Sequence, residues 1–247
     1  MCKKVAYGYK NVHPREKRGL ILGHFEAIAR RYDLADALLS FGLHFLWRRR
    51  ALRILNLKQG DRVLDLCAGT GDFAISAART VDSEGMAVAC DISRQMMLAG
   101  QRKAFRHGLH KSINWIQGDA EEMGFARGSF DAVVVGYGIR NFVFLEHGLG
   151  EIFRVLKSGG KFMAMEFSIP NNAWLKTLYN YYSFKVLPRA GKMIAGKSEP
   201  FQYLAESIRV FPPPEKVLDL LGAAGMKKPR FIMLSNGLAV LFFAEKP

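Results

Sequence analysis

Five short apolar runs separated by helical segments constrain the fold of this chain more than any other feature. In chain order the runs are "RVLDLC" (62–67), "MAVACD" (86–91), "INWIQ" (113–117), "AVVVG" (132–136) and "KFMAMEF" (161–167). Asp72 can open a helix after the first run, Ser93 is placed to cap a helix after the second, and a further helix is expected at roughly 145–156. Strands that alternate with helices form right-handed βαβ units on a parallel sheet. The sequence therefore predicts an α/β protein whose ligand site lies at the carboxyl ends of its strands.

The end of the chain departs from this alternation. A helical segment around 215–224 is followed by two β-type segments, at about 229–234 and 238–243, which are joined by Asn236-Gly237. That dipeptide between apolar runs is typical of a tight hairpin turn. A parallel sheet finished by an antiparallel hairpin is unusual for a dinucleotide-binding dehydrogenase and usual for a class I S-adenosylmethionine-dependent methyltransferase. We therefore expect a Rossmann-like, mostly parallel seven-stranded sheet with an antiparallel C-terminal hairpin.

A glycine-rich loop follows the first apolar run. "VLDLCAGTGDFA" (63–74) places Gly69, Thr70 and Gly71 at a strand-to-helix turn. Glycines there let the backbone approach a ligand closely, and the helix N-terminus offers free N–H groups. The loop alone also satisfies a dinucleotide fingerprint. Asp65 lies inside the motif, where a carboxylate suits the positively charged methionyl end of a sulfonium cofactor but would repel a pyrophosphate.

Two further carboxylates follow the next two runs. Asp91 ends the second run, 20 residues after Gly71, where it can accept both hydroxyl groups of a ribose. Asp119, in "QGDAEEM", comes just past the third run and can accept from an adenine amino group. Together with the hairpin and the carboxylate in the glycine motif, these residues favour S-adenosylmethionine over NAD. We expect no metal, because the six histidines show no ligand spacing.

The fourth run continues through "YGIRNF" and so presents Arg140 and Asn141 at the ligand-binding edge. "YGIRNF", "YYSFKVLPRAGKMIAG", "YLAESIRVFP" and "RYDLADALLSFGLHFLWRR" are similar to the signatures of the ubiquinone/menaquinone biosynthesis C-methyltransferase family. The resemblance extends from about His24 to near the C-terminus. Its motifs lie partly outside the general cofactor fold, so it is specific for the family. Cys67 departs from the usual glycine or alanine of the loop, but a cysteine is small enough to fit.

The resemblance implies methyl transfer from S-adenosylmethionine to a ring carbon of a polyprenylated quinol. By position, it implies cofactor contacts at Thr70, Asp91, Asp119 and Ala120. It also implies that Tyr32 and the Arg140-Asn141 pair face the quinol. We expect the acceptor to be demethylmenaquinol, and the benzoquinol precursor of ubiquinone is the alternative that the family includes.

The chemistry of the arginine is consistent with this expectation. A ring carbon attacks a sulfonium methyl group only if it is electron-rich, and a deprotonated ring hydroxyl makes it so. A guanidinium does not lose its own proton near neutral pH, but it can stabilise the phenolate that forms. Our hypothesis is that Arg140 stabilises the quinolate, directly or through water, while Asn141 and Tyr32 orient the ring.

The chain divides into two expected parts. Residues 1–55 are expected to form a basic N-terminal arm, weakly patterned to about residue 23, and helices that cap the site, with a break near "SFGLH". Residues 56–247 are expected to form the methyltransferase domain. Within it, the segment at about 168–214 is too long for an ordinary connection and is rich in aromatic and basic residues. We expect this insertion to serve as a lid or a substrate wall.

The net charge of +14 is concentrated on two flanking segments. Residues 1–60 hold 13 Lys and Arg against 4 Asp and Glu, and residues 168–200 hold 5 against 1. Nucleic acid, an anionic membrane surface and a phosphorylated substrate are all compatible partners. Because a quinol with an isoprenoid tail resides in a bilayer, we expect the helices of 25–55 and the stretch 174–197 to contact anionic lipid. Other quinone-biosynthesis enzymes are further candidate partners.

A nucleic-acid-binding methyltransferase is the alternative from a different class. Base methylation normally uses an Asn/Asp-Pro-Pro-aromatic run after the fourth strand, and "YGIRNF" is not such a run. A binding module without catalysis would have little use for Asp65, Asp91 and Asp119 together. We therefore expect no nucleic acid partner.

The expected location is the cytoplasm, with peripheral membrane association. The three cysteines Cys2, Cys67 and Cys90 form no paired framework, which suits a reducing compartment. The N-terminus "MCKKVAYGYK" lacks the apolar region of a signal peptide. No uninterrupted apolar run reaches the roughly 20 residues that cross a bilayer.

Overall fold

The computed structural model describes residues 4–247, apart from the side chains of Arg30, Ala35, Leu38, Leu39, Ile194 and Ala195. Cys2 therefore lies outside the described residues. The helices are α1 (Pro14–Ile28), α2 (Tyr32–Leu39), α3 (His44–Leu55), α4 (Asp72–Val81), α5 (Arg94–Arg106), α6 (Leu145–Val155), α7 (Ala173–Tyr181), α8 (Leu187–Ala195), α9 (Glu199–Val210) and α10 (Pro214–Ala223). The strands are β1 (Val5–Tyr7), β2 (Lys10–Val12), β3 (Arg62–Leu66), β4 (Met86–Asp91), β5 (Ile113–Gln117), β6 (Phe130–Gly136), β7 (Leu156–Phe167), β8 (Lys227–Leu234) and β9 (Ala239–Glu245).

Seven strands form one sheet in the order β5-β4-β3-β6-β7-β9-β8. The strands from β3 to β7 are parallel, and β9 runs antiparallel between β7 and β8. The predicted fold, a mostly parallel seven-stranded sheet with an antiparallel C-terminal hairpin, is confirmed. The chain moves outward from β3 through β4 to β5 and then returns to place β6 on the other side of β3. This switch point opens a crevice at the carboxyl ends of β3 and β6, where ligands bind in doubly wound sheets.

Both faces of the sheet are covered by helices, so its central strands are apolar throughout. In β6, Ala132 and Val134 pack with α3 and α4, while Val133 and Val135 pack with α6 and α10. All four residues are at most 1% exposed. A strand buried on both faces is a continuous apolar run, which explains the pattern from which this strand was predicted. The packing holds rigid the strand ends that carry the site.

The helix boundaries also follow from local chemistry. The Ser93 side chain accepts a hydrogen bond from the Met96 N–H at 3.3 Å, so the predicted cap of α5 is confirmed. The hairpin predicted at Asn236-Gly237 is confirmed as well, and Ser235 and Asn236 both take positive φ in its turn. The insertion expected at about 168–214 is largely helical: α7, a π-helical segment (Tyr182–Val186), α8 and α9. No described helix is long and apolar enough to cross a membrane.

The N-terminal segment is regular where its sequence pattern is weak. β1 and β2 form an antiparallel hairpin, and α1 begins at Pro14, whose fixed φ suits the first turn of a helix. The hairpin packs on α9, where Tyr9 donates its backbone N–H to Glu206 Oε2 at 3.2 Å. Gly8 lies so close that an added Cβ would be 2.2 Å from that carboxylate oxygen. The hairpin is thus specified by contacts about 200 residues away in sequence.

Candidate active site

A cavity of about 760 Å³ opens at the carboxyl ends of β3, β4 and β6. Six of the residues predicted for the site line it: Tyr32, Gly69, Asp91, Asp119, Ala120 and Asn141. Side chains separated by more than 100 residues are therefore brought together at the edge that the strand pattern predicts.

The glycine loop takes a backbone path that excludes larger residues. Gly69 and Gly71 have φ of 55° and 75°, in the left-handed region. A Cβ on Gly71 would lie 2.5 Å from the Trp115 ring, so glycine is required on steric grounds too. Cys67 also has positive φ, at 56°. The turn delivers the chain into the N-terminus of α4, and its backbone borders the cavity.

Asp91 is held with its carboxylate at the cavity. Its Oδ2 accepts the Gly69 N–H at 2.8 Å, and its Oδ1 accepts the Ser93 N–H at 2.7 Å. Burial raises the pKa of Asp91, and these two hydrogen bonds oppose the rise. A carboxylate has about four acceptor positions, so each oxygen keeps capacity for a further donor. The role of Asp91 in binding the hydroxyl groups of a ribose stays a prediction.

Neither Asp65 nor Thr70 is among the residues that line the cavity, and their side chains bond to neighbouring helices instead. Asp65 Oδ2 accepts the Ala74 N–H at 2.8 Å in the first turn of α4, and burial raises the pKa of Asp65 to about 8. The Thr70 hydroxyl donates to Asp33 Oδ1 at 2.7 Å and accepts from Lys103 Nζ at 2.9 Å. Both side chains hold the loop against neighbouring helices.

A second cavity of about 530 Å³ adjoins the first. Phe25, Tyr32 and Tyr137 line both cavities. Arg140 lines the second cavity but not the first. Most of the other lining residues of the second cavity come from α1, α2 and α9: His24, Ile28, Asp36, Pro200, Phe201, Tyr203 and Leu204. The predicted cofactor residues and the predicted arginine thus face two spaces that share walls.

Arg140 is a buried and immobilised cation. Its Nη1 donates to Glu166 Oε2 at 2.7 Å and to the backbone carbonyl of Tyr137, and its backbone N–H donates to Glu166 Oε1 at 3.2 Å. The two side chains are 6% and 0% exposed. Burial would lower the pKa of Arg140, but the Glu166 carboxylate outweighs this effect and the pKa is raised. The guanidinium therefore stays charged.

Sequence reasoning missed Glu166 and Tyr203. A lone carboxylate in the apolar run "KFMAMEF" was the available signal for Glu166, since a buried charge requires a partner. Tyr203 belongs to the quoted motif "YLAESIRVFP", and its hydroxyl donates to Asn141 Oδ1 at 3.1 Å. The Asn141 amide in turn donates to the Tyr137 carbonyl at 3.3 Å. These bonds fix the orientation of the Asn141 side chain.

Helix α1 closes the first cavity from outside the sheet. Lys17 Nζ donates to the Phe142 carbonyl at 2.7 Å, although the lysine is only 6% exposed. Arg18 lies 3.0 Å from Asp119 Oδ2, which links this helix to a residue predicted to bind adenine. Two basic side chains of the N-terminal segment thus contact residues at the first cavity. Nothing in its composition predicted these contacts.

Comparison with solved structures identifies the class of the fold. The chain superposes on a SAM-dependent methyltransferase from Aquifex aeolicus with a TM-score of 0.59 and 16% identity, covering 80% of this chain and 88% of that one. It also matches phosphoethanolamine N-methyltransferase 2 from Haemonchus contortus, solved with S-adenosyl-L-methionine, with a TM-score of 0.64 and 15% identity, covering 90% of this chain and 60% of that one. The fold is that of S-adenosylmethionine-dependent methyltransferases.

Sequence comparison then identifies the family. The chain belongs to the ubiE/COQ5 methyltransferase family, whose model matches residues 12–246. It is 39% identical to the ubiquinone/menaquinone biosynthesis C-methyltransferase of Stenotrophomonas maltophilia (strain R551-3), over 97% of this chain and 95% of that protein. Its identity to the protein of that name from Idiomarina loihiensis is 36%, with the same coverage. The family resemblance noted from the motifs is confirmed, and the chain is an S-adenosylmethionine-dependent methyltransferase.

Asp36 is a buried carboxyl group that lines the second cavity and has a raised pKa. It is 5% exposed, and burial raises its pKa to about 7. The Arg48 and Arg140 guanidinium groups oppose this rise. Asp72 and Asp33 add to it. The pKa thus lies above the value of about 3.9 that an aspartate has in the unfolded chain. The free energy of unfolding is therefore unaffected by this group below about pH 4, and it decreases as the pH rises to about 7, because the buried carboxyl resists losing its proton.

We expect Asp36→Asn to raise the melting temperature more at pH 7.5 than at pH 5, because the wild-type carboxyl is charged and buried at the higher pH. The difference between the two gains should be at least about 2 °C for a chain of this size. Differential scanning fluorimetry at both pH values measures it. Asp219→Asn, at a side chain that is 72% exposed, is the control and should show no such difference. Equal gains at the two pH values would contradict the assignment.

Proposed function

We propose that this enzyme transfers the methyl group of S-adenosylmethionine to a ring carbon of a polyprenylated quinol, with demethylmenaquinol as the acceptor. The observation that carries the proposal is the immobilised Arg140 guanidinium in a cavity that adjoins the glycine-loop cavity. Relatives over nearly the whole chain are named for ubiquinone and menaquinone biosynthesis, which supports a quinol as the acceptor.

In this proposal the first cavity holds the cofactor. Asp91 binds the ribose hydroxyl groups with the acceptor capacity that its two backbone hydrogen bonds leave free. Asp119 and Ala120 contact the adenine. Gly69 and Gly71 allow close approach of the backbone, and Asp65 and Thr70 act by holding the loop in shape. When bound, S-adenosylmethionine supplies an electrophilic methyl group.

The second cavity receives the quinol ring in this proposal. Arg140 stabilises the negative charge that develops on a ring oxygen, since its own pKa is raised and it keeps its proton. Tyr32, which lines both cavities, and Asn141, which lines the first cavity and is fixed by Tyr203, orient the ring at the boundary between the two cavities. Apolar walls such as Phe201 exclude water and so strengthen these electrostatic contacts.

Incubation with methyl-labelled S-adenosylmethionine tests the function directly. The acceptors are reduced short-tail demethylmenaquinone and the reduced benzoquinone precursor of ubiquinone, offered separately. We expect label in the demethylmenaquinol, because we propose it as the acceptor. Label only in the benzoquinol would correct the ring type and keep the reaction. Label in neither, with S-adenosylmethionine still bound by the protein, would overturn the proposal.

We expect Arg140→Ala to lower kcat about 100- to 1,000-fold, because it removes a preorganised contact to the developing charge. The affinity for S-adenosylmethionine, measured by calorimetry, should not change. The substitution also leaves the Glu166 carboxylate buried and unpaired, which is destabilising. The double variant Arg140→Ala/Glu166→Gln removes that carboxylate charge and should show the same loss. Near-normal turnover in the double variant would contradict the role.

We further propose that the enzyme works at an anionic membrane surface, where such a quinol resides. Trp174, Leu178 and Tyr181 lie at i, i+4 and i+7 of α7 and are 73%, 50% and 64% exposed. Basic side chains follow on the same chain segment: Lys185, Arg189 and Lys192. Exposed aromatic and apolar residues next to basic ones are typical of interfacial helices. The α7 stripe (Trp174, Leu178 and Tyr181) is therefore the proposed membrane contact.

A second exposed apolar group lies next to the residue that follows α7. The ring of Phe41, which is 63% exposed, lies 4.8 Å from that of Tyr182, just after α7. α8 packs on α9 so closely that a Cβ on Gly191 would be 2.1 Å from the ring of Phe201, which lines the second cavity. The helix that follows the stripe in sequence therefore packs against a helix that lines the second cavity.

We expect the protein to sediment with vesicles that contain about one third phosphatidylglycerol and not with pure phosphatidylcholine, since cationic residues accompany the stripe. Trp174→Ala combined with Leu178→Ala should weaken binding at least about tenfold, because burial of each large apolar side chain is worth about 1.5–3 kcal/mol. Phe105→Ala, at an aromatic residue of α5 that is 68% exposed, is the control. No dependence on anionic lipid would count against the proposal.

A further inference from the structure

Two buried hydrogen-bond donors at the second cavity have no partner. Within the described part of the chain, three buried side-chain polar atoms lack a hydrogen bond: Arg48 Nε, Tyr137 Oη and Arg140 Nε. Tyr137 and Arg140 both line the second cavity, whereas Arg48 does not. Buried polar groups without partners are rare in folded proteins because they lose their hydration and gain nothing in return. Their concentration at one cavity indicates a ligand that supplies acceptors.

The Tyr137 ring is oriented by contacts that do not involve its hydroxyl. Its backbone takes φ of 57°, and its N–H donates to the Met165 carbonyl at 2.7 Å. The ring stacks on Phe167 with centroids 4.2 Å apart and planes 12° from parallel. A phenylalanine would satisfy all of these contacts. The hydroxyl is therefore present for a reason other than packing.

The surroundings keep that hydroxyl protonated. Burial raises the pKa of Tyr137, and the nearby Asp36 and Tyr32 raise it further. Asp36 and Tyr32 both line the second cavity, and Tyr137 itself lines both cavities. Arg140 Nε–H can only donate, and a neutral tyrosine can donate as well. The two unpaired donors thus call for oxygen acceptors in the second cavity, which both residues line.

We propose that Tyr137 Oη–H and Arg140 Nε–H donate hydrogen bonds to oxygen atoms of the acceptor ring, and that Tyr137 is a specificity-determining residue for an oxygen-bearing ring. The inference rests on the proposed quinol methylation, because it names the groups that receive the oxygen atoms of that ring. Of the Arg140 donors, Nη1 is held by Glu166 and by the Tyr137 carbonyl, whereas the buried Nε–H has no partner in the described part of the chain. Tyr137 adds a donor that the motif reading did not include.

Tyr137→Phe tests the inference, since it removes the hydroxyl and keeps the ring. With reduced short-tail demethylmenaquinone as the acceptor, kcat/KM should fall by more than about twofold and up to about tenfold, which is the range that one hydrogen bond contributes. The affinity for S-adenosylmethionine should be unchanged. The melting temperature of the unliganded variant should equal or exceed that of the wild type, because a buried unpaired hydroxyl has been removed. Tyr9→Phe, at a residue that is 60% exposed, is the matched control and should behave as wild type.

Two results would overturn the inference. One is a kcat/KM for Tyr137→Phe within twofold of the wild type, which would mean that the hydroxyl does not contact the acceptor. The other is a lower melting temperature, which would mean that the hydroxyl supports the fold. Failure of the wild-type enzyme to methylate either quinol would instead reject the proposed function, so the two failures are distinguishable.

Discussion

The buried ion pair between Arg140 and Glu166 is the interaction on which the arrangement of the site depends. Glu166 comes from β7 and Arg140 from the turn after β6, and the parallel pairing of these strands sets the two side chains opposite each other. Removing one partner of such a pair costs about 3–5 kcal/mol, because a buried charge is left alone. The pair therefore fixes the turn Ile139–Asn141 and, with it, the position of the Asn141 amide.

Closure of the two cavities depends on elements that are remote in sequence. Lys17 of α1 bonds the Phe142 carbonyl, and Tyr203 of α9 bonds Asn141. Tyr32 and Tyr137 line both cavities, so a substitution at either residue alters the walls of both. The strand ends of the sheet supply Asp91, Asp119 and Arg140, while the N-terminal helices and the insertion supply most of the walls of the second cavity. This division is consistent with a cofactor that all members of the fold class bind at the strand ends. It is also consistent with an acceptor that is specific to the family and is bound by the added helices.

The core of the fold could be predicted from sequence because its signals are local. Residues 62–66, 86–91 and 113–117 alternate or persist as apolar runs, and each was predicted within one residue of its observed bounds. The Ser93 cap and the Asn236-Gly237 turn also depend only on neighbouring residues. The N-terminal hairpin was not predicted, because its strands are three residues long and its stabilising contacts come from α9.

By itself, the sequence determined the alternation of strands and helices, the glycine loop, the carboxylates at the strand ends and the family motifs, since each of these depends on adjacent or regularly spaced residues. Only the tertiary structure decided which side chains face a cavity. It turned Asp65 and Thr70 behind the loop, paired Arg140 with Glu166 and left the Tyr137 hydroxyl without a partner. Burial and hydrogen-bond partners arise from contacts between distant segments, and no local pattern encodes them.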